Sequence, residues 1–105
     1  MKSEIVFGDE KLKKQFEKIS DENLTKQLRK AFQNLKQNAF CGIQIPKRLI
    51  PKEYAQRCGP LTNLWKYNLP DAWRLIYTVQ DNKISVLSVI LDWIDHKTYE
   101  RKFKY

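Results

Sequence analysis

Apolar and polar positions recur with different periods along the chain, and each period predicts an element. Glu4 to Phe7 is a short apolar, β-branched run closed by Gly8, which predicts a strand. Asp9 follows as a helix N-cap. Leu12, Phe16 and Ile19 then recur at helical spacing among lysines and acids, predicting an amphipathic helix of about three turns. Ser20 or Asp21 caps a second helix, in which Leu24, Leu28, Ala31, Phe32 and Leu35 form one apolar stripe. The two helices predict an αα-hairpin. Lys26, Arg29, Lys30 and Lys36 occupy the other face of the second helix, a basic surface that reads first as a solvated face and second as a nucleic-acid contact.

Periodicity lapses from Asn38 to Pro60, where Gly42, Pro46, Pro51, Gly59 and Pro60 predict a loop with one helical turn over Lys52 to Arg57. Loops of this length inside a compact domain tend to be functional. Leu61 to Leu69, Trp73 to Gln80 and Lys83 to Leu91 are then rich in Trp, Tyr, Val, Ile and Leu. Pro70-Asp71 and Asp81-Asn82 separate them, predicting a three-stranded antiparallel meander whose second hairpin closes at Asp81-Asn82. The tail from Asp92 to Tyr105 starts as a short helix. The expectation is one α+β domain over residues 1–105: an N-terminal strand, a helical hairpin, a long loop, an antiparallel meander and a short C-terminal helix or tail.

Side chains alternate across a strand, so Trp73, Leu75, Tyr77 and Val79 share one face and Arg74, Ile76, Thr78 and Gln80 the other. The helical hairpin is expected to cover the first face. The second is expected to be an open, basic, partly apolar surface, with Lys66 of the preceding strand beside Arg74.

Composition narrows the function classes. Lys and Arg outnumber Asp and Glu by 20 to 12, giving a net charge of +8 and a pI near 9.6, a balance that attracts polyanions. No stretch reaches the length of a membrane span and the N-terminus lacks a secretory apolar run, which predicts a cytoplasmic protein without membrane association. Cys41 and Cys58 with one histidine are too few ligands for a four-coordinate zinc site, so no metal and no cofactor are expected and the cysteines read as thiols.

Three strings carry a resemblance: Leu64-Trp65-Lys66-Tyr67, Trp73-Arg74-Leu75-Ile76-Tyr77, and Asp95-His96-Lys97-Thr98-Tyr99-Glu100. With the order of elements they resemble the RelE/ParE superfamily of toxins of type II toxin–antitoxin systems, most of all its RelE-like mRNA endonucleases. The middle string is similar to the family's aromatic-Arg-Leu-aliphatic-Tyr signature, and the last to its His-x-x-Tyr. The resemblance implies a ribosome-associated endoribonuclease that works without metal by 2′-hydroxyl attack and is neutralised by a cognate antitoxin. mRNA and the ribosome would be its other partners, and the free toxin would be a monomer or weak homodimer. It assigns catalysis to Arg74, His96, Tyr99 and Lys66. Where some members carry basic residues between the last strand and the tyrosine, this chain has Asp92-Trp93-Ile94-Asp95.

Those residue types suit the chemistry. Arg74 offers paired donors to a phosphate, Lys66 adds charge or serves as a base, and histidine exchanges protons near neutrality. Tyr99 stacks on a base or orients the phosphate. Lys47, Arg48, Lys52 and Arg101, with Lys66 and Arg74, are the expected RNA contacts. Each has a plainer reading: His96 as the surface ion-pair partner of Asp95, Tyr99 and Phe103 as an i, i+4 seal of the core, Arg74 as a surface strand residue. Two other functions stay open, a non-catalytic RNA- or protein-binding member of the fold and a ParE-type gyrase inhibitor.

Overall fold

The computed structural model describes residues 1–81 and 85–103, and all of these but the side chain of Cys58. Asn82 of the predicted hairpin turn, the predicted strand start at Lys83, and Tyr105 at the tail's end lie outside the described residues. The elements run β1 (Glu4–Phe7), α1 (Glu10–Glu17), α2 (Glu22–Gln37), β2 (Ile43–Gln44), a 3-10 turn (Lys47–Leu49), α3 (Lys52–Cys58), β3 (Trp65–Asn68), a second 3-10 turn (Pro70–Ala72), β4 (Trp73–Asp81), β5 (Val86–Asp95) and α4 (His96–Phe103). Asp9 and Asp21 cap α1 and α2 by accepting from the Leu12 and Leu24 amides at 2.7 and 3.1 Å, as their positions predict. No described helix is long and apolar enough to cross a membrane.

The strands form one sheet in the order β1-β5-β4-β3-β2. The meander β3-β4-β5 is antiparallel and sits at its centre, while β1 joins the outer edge of β5 in parallel. Strand β3 starts at Trp65 and not at Leu61. Asn63 explains the difference: its amide bonds the Val79 carbonyl and amide at 2.9 and 2.8 Å, so a side chain replaces the ladder there. The short β2, inside the predicted loop, pairs with β3 because Gly42 brings that backbone against Lys66 and the Tyr77 hydroxyl, where a Cβ would meet atoms at 2.5 and 2.6 Å.

Both faces of the sheet are buried. On one, Leu75, Tyr77 and Ile90 pack with Leu12, Leu24, Leu28, Ala31 and Leu35 of the helical hairpin, as the alternation in β4 predicts. The other departs from expectation. Ile76, Val89, Leu91 and Ile94 pack beneath Ile45, Tyr54, Leu64, Tyr99 and Phe103, so the 45–64 segment and α4 cover a face expected to be open. The physical reason is the apolar area on that side of β5, which has to leave water. Basic chemistry on this face is thereby confined to the corner where β3 and β4 meet the start of α4.

A bulge in β5 sets what α4 sees. Ile76 pairs with Asp92 and Tyr77 with Ile90, leaving Leu91 as the extra residue. The alternation changes phase there, so Leu91 joins the second core and Asp92 reaches the Tyr54 hydroxyl at 3.0 Å and Lys102 at 3.6 Å.

Candidate functional site

Strand register brings the first two site residues together. Lys66 pairs with Ile76 and Asn68 with Arg74, so Lys66 and Arg74 share the face of Ile76. The chain reaches Arg74 through a tight turn in which Asp71 and Ala72 hold left-handed backbone (φ 60° and 66°). Asn23 and Gln27 of α2 tie that turn down by donating to the Asp71 carboxylate, each at 3.3 Å. Strand β4 therefore begins from a fixed point one residue before Arg74.

The other residues come from α4. Asp95, the last residue of β5, accepts from the Thr98 amide at 2.7 Å and so caps the helix. The Thr98 amide, and then the Thr98 hydroxyl, hold the Asp95 carboxyl below its ordinary range. Asp95 is thus the cap of α4 and not the ion-pair partner of His96 that its position in the string allows. That partner is Glu100, one helical turn on, whose Oε1 lies 2.6 Å from His96 Nε2.

Lys66, Arg74, His96, Tyr99 and Glu100 line one pocket of about 390 Å³. Within it an Arg74 Nη lies 3.1 Å from His96 Nδ1, and the other Nη donates to the Trp73 carbonyl at 3.1 Å. Guanidinium nitrogens only donate, so His96 Nδ1 is the acceptor and Nε2–H donates to the Glu100 carboxylate. The Arg74 Nε is buried without a hydrogen-bond partner among the described residues. The Lys66 ammonium sits over the Tyr99 ring, 4.7 Å from its centre.

Tyr99 is 2% exposed, and its ring stacks on Phe103 with centres 4.5 Å apart. With Phe103 and Lys66 against the ring, a base has no face to stack on, and the stacking role expected of Tyr99 is closed to it. It seals the core and forms the pocket's floor beneath Lys66. The plainer i, i+4 reading of Tyr99 and Phe103 is the one this packing matches.

The structure does not bring in every residue expected to contact RNA. Lys47 and Arg48 are exposed on the first 3-10 turn, Lys52 at the start of α3 and Arg101 on the outside of α4; none lines the pocket. Lys26, Arg29, Lys30 and Lys36 are on the helical hairpin, across the sheet from it. Nor does the acidic string fall in the pocket. Asp92 is taken by Tyr54 and Lys102, and burial together with that carboxylate pushes the Tyr54 phenol up, keeping it the donor. Cys41 is a free thiol, raised by burial. Glu100 is the lining residue to which sequence reasoning gave no role; its signal was the i, i+4 spacing from His96 on a helix.

A family model described as ParE toxin of type II toxin–antitoxin system, parDE, matches residues 9–91. No curated protein and no solved structure matches the chain. The matched span holds Lys66 and Arg74 and ends before the helix that carries His96, Tyr99 and Glu100. The paired helices and nearly all of the antiparallel meander lie within that span, with the N-terminal strand and the closing helix on either side of it. A match over well more than half of the residues, on this fold, settles the family: the chain belongs to the ParE toxins of type II toxin–antitoxin systems, within the RelE/ParE superfamily, and a cognate antitoxin is its implied partner.

Proposed function

We propose that this toxin is an endoribonuclease that cuts mRNA on the ribosome, in the cytoplasm, by attack of a ribose 2′-hydroxyl on the adjacent phosphorus. The observation that carries the reading is the convergence of Lys66, Arg74 and His96 on one pocket from three separate elements. Arg74 binds the non-bridging phosphate oxygens and neutralises the charge that gathers on them as the phosphorane forms. His96 takes the proton of the 2′-hydroxyl as the P–O2′ bond forms. The P–O5′ bond breaks, and the departing 5′-oxygen takes a proton from the Lys66 ammonium, leaving a 2′,3′-cyclic phosphate and a 5′-hydroxyl. Tyr99 holds Lys66 in place through its ring face.

A second reading has its own support. The matching family model is that of ParE, and it ends at residue 91, short of the helix that completes the pocket. On that reading the toxin blocks gyrase through its surface and makes no use of the His96 pocket.

Incubating the purified toxin with mRNA, with and without translating ribosomes, and separately with gyrase and relaxed plasmid, tests both. The nuclease reading expects cutting only with ribosomes. It also expects Arg74→Ala and His96→Ala to lose at least about a hundredfold in rate, the lower range for a general acid–base group, with unchanged circular dichroism. Blocked supercoiling with intact RNA, unaffected by His96→Ala, would replace it with the gyrase reading.

A further inference from the structure

We infer that Glu100 is the positioning residue of this pocket: it holds His96 in the tautomer that leaves Nδ1 as the basic nitrogen, facing Arg74. The inference rests on the nuclease reading and adds a positioning residue to Lys66, Arg74, His96 and Tyr99.

Both ring nitrogens of His96 are engaged, and from opposite kinds of partner. Glu100 Oε1 lies 2.6 Å from Nε2 and only accepts; the Arg74 guanidinium lies 3.1 Å from Nδ1 and only donates. One neutral tautomer satisfies the two together, with the proton on Nε2 and the lone pair on Nδ1. A phosphate entering the pocket competes for the Arg74 donors, and two charged oxygens are better acceptors than one imidazole nitrogen. As Arg74 turns to the phosphate, Nδ1 is uncovered beside the group it is to deprotonate. Once Nδ1 has taken the 2′-hydroxyl proton the ring is cationic, and the Glu100 carboxylate stabilises it across Nε2–H. A carboxylate that orients a histidine and steadies its imidazolium is the logic of an acid–histidine–nucleophile triad.

The plain alternative is that Glu100 is a surface ion-pair partner. Its side chain is 62% exposed and that of His96 47%, and exposed pairs contribute little to stability. The two readings differ in sign. Glu100 places a negative charge beside the Lys66 and Arg74 cations of the pocket, where RNA phosphate is to bind. For a bystander, Glu100→Ala relieves that repulsion and cleavage is unchanged or faster. For a positioning residue, the same substitution leaves KM equal or lower and drops kcat.

His96 is the one histidine of the chain, so its imidazole nitrogens and ring N–H are read without overlap in a 15N-labelled sample. In the wild-type toxin the expected spectrum has Nε2 protonated, Nδ1 unprotonated, and a slowly exchanging downfield N–H proton. Glu100→Ala should lose that proton signal and lower kcat about ten- to a hundredfold, part of what a general base supplies. Glu100→Gln, whose amide oxygen still accepts from Nε2–H, should keep the signal and recover part of the rate. A cutting wild type whose Glu100→Ala variant keeps kcat, or whose His96 is protonated on Nδ1, would overturn the role of Glu100 alone. A wild type with the expected spectrum and no cleavage would remove the nuclease reading, and the inference with it.

Discussion

At the scale of single residues, the pocket depends on a glycine outside it. Gly42 lets the β2 backbone reach Lys66, and its amide donates to the Tyr77 hydroxyl at 3.1 Å while that hydroxyl donates to the Ala39 carbonyl at 2.9 Å. A Cβ at position 42 would sit 2.5 Å from the Lys66 carbonyl oxygen and 2.6 Å from the Tyr77 oxygen. Neither can yield cheaply, the first being backbone in a paired strand and the second the end of a ring that is fully buried. Gly42→Ala should therefore cost about 1–3 kcal/mol, the usual cost of overpacking, read as a lower midpoint in urea; an unchanged midpoint would show that β2 is dispensable. Arg74, Lys66 and His96 were legible as residues because their strings are short and local. Glu100 and the true partner of Asp95 were not, because hydrogen-bond choice among neighbouring acids depends on where α4 starts, and sequence fixes helix starts only to within a few positions.

At the scale of elements, α4 is the weak link on which the pocket depends. It is eight residues long, too short to be stable alone, and is held by Tyr99 and Phe103 on its inner side and by Asp95 at its start. The cap has an acid signature. Because the Asp95 carboxyl is lowered in the folded chain, its contribution is present above the ordinary carboxylate value of 3.8 and is lost as pH falls through the lower folded value. Substitution reaches the same end at neutral pH. Asp95→Ala should release the first turn of α4 and lose the His96 ring N–H signal and, on the nuclease reading, RNA cleavage, whereas Asp95→Ser, still a good cap, should keep both. Retention of the signal in Asp95→Ala would mean that inner packing alone sets α4. The sequence predicted the capped helices α1 and α2 and the meander because caps and alternation are local. It did not predict the bulge at Leu91, since Val89-Ile90-Leu91 is apolar throughout and carries no alternation from which a change of phase could be read.

At the scale of the molecule, one sheet serves two cores, and this decides where charge can work. The open basic face expected from β4 alone is filled by Tyr99 and Phe103 of α4, whose i, i+4 spacing allowed a core role, and by the 45–64 segment, whose apolar positions follow no single period and so gave no sign of a packed layer. What remains is a protein of net charge +8 whose cations are spread over both sides, with Lys66 and Arg74 meeting His96 in one pocket. Net charge would draw a polyanion such as RNA from any direction, but only cations in the binding path release counterions when phosphate replaces them. Binding of single-stranded RNA made uncleavable by 2′-deoxy substitution should weaken with salt at a log–log slope of about −0.7 per phosphate neutralised. Arg74→Ala should reduce the steepness by about that one increment, since on the nuclease reading it removes one phosphate contact. Lys30→Ala, on the exposed side of α2 across the sheet, should lower overall charge equally and leave the slope unchanged. Lys47→Ala and Lys52→Ala then report whether the path leaves the pocket along the 45–64 segment, by flattening the slope as Arg74→Ala does. Equal effects from Lys30 and Arg74 would mean that RNA follows the protein's overall charge and has no preference for the pocket.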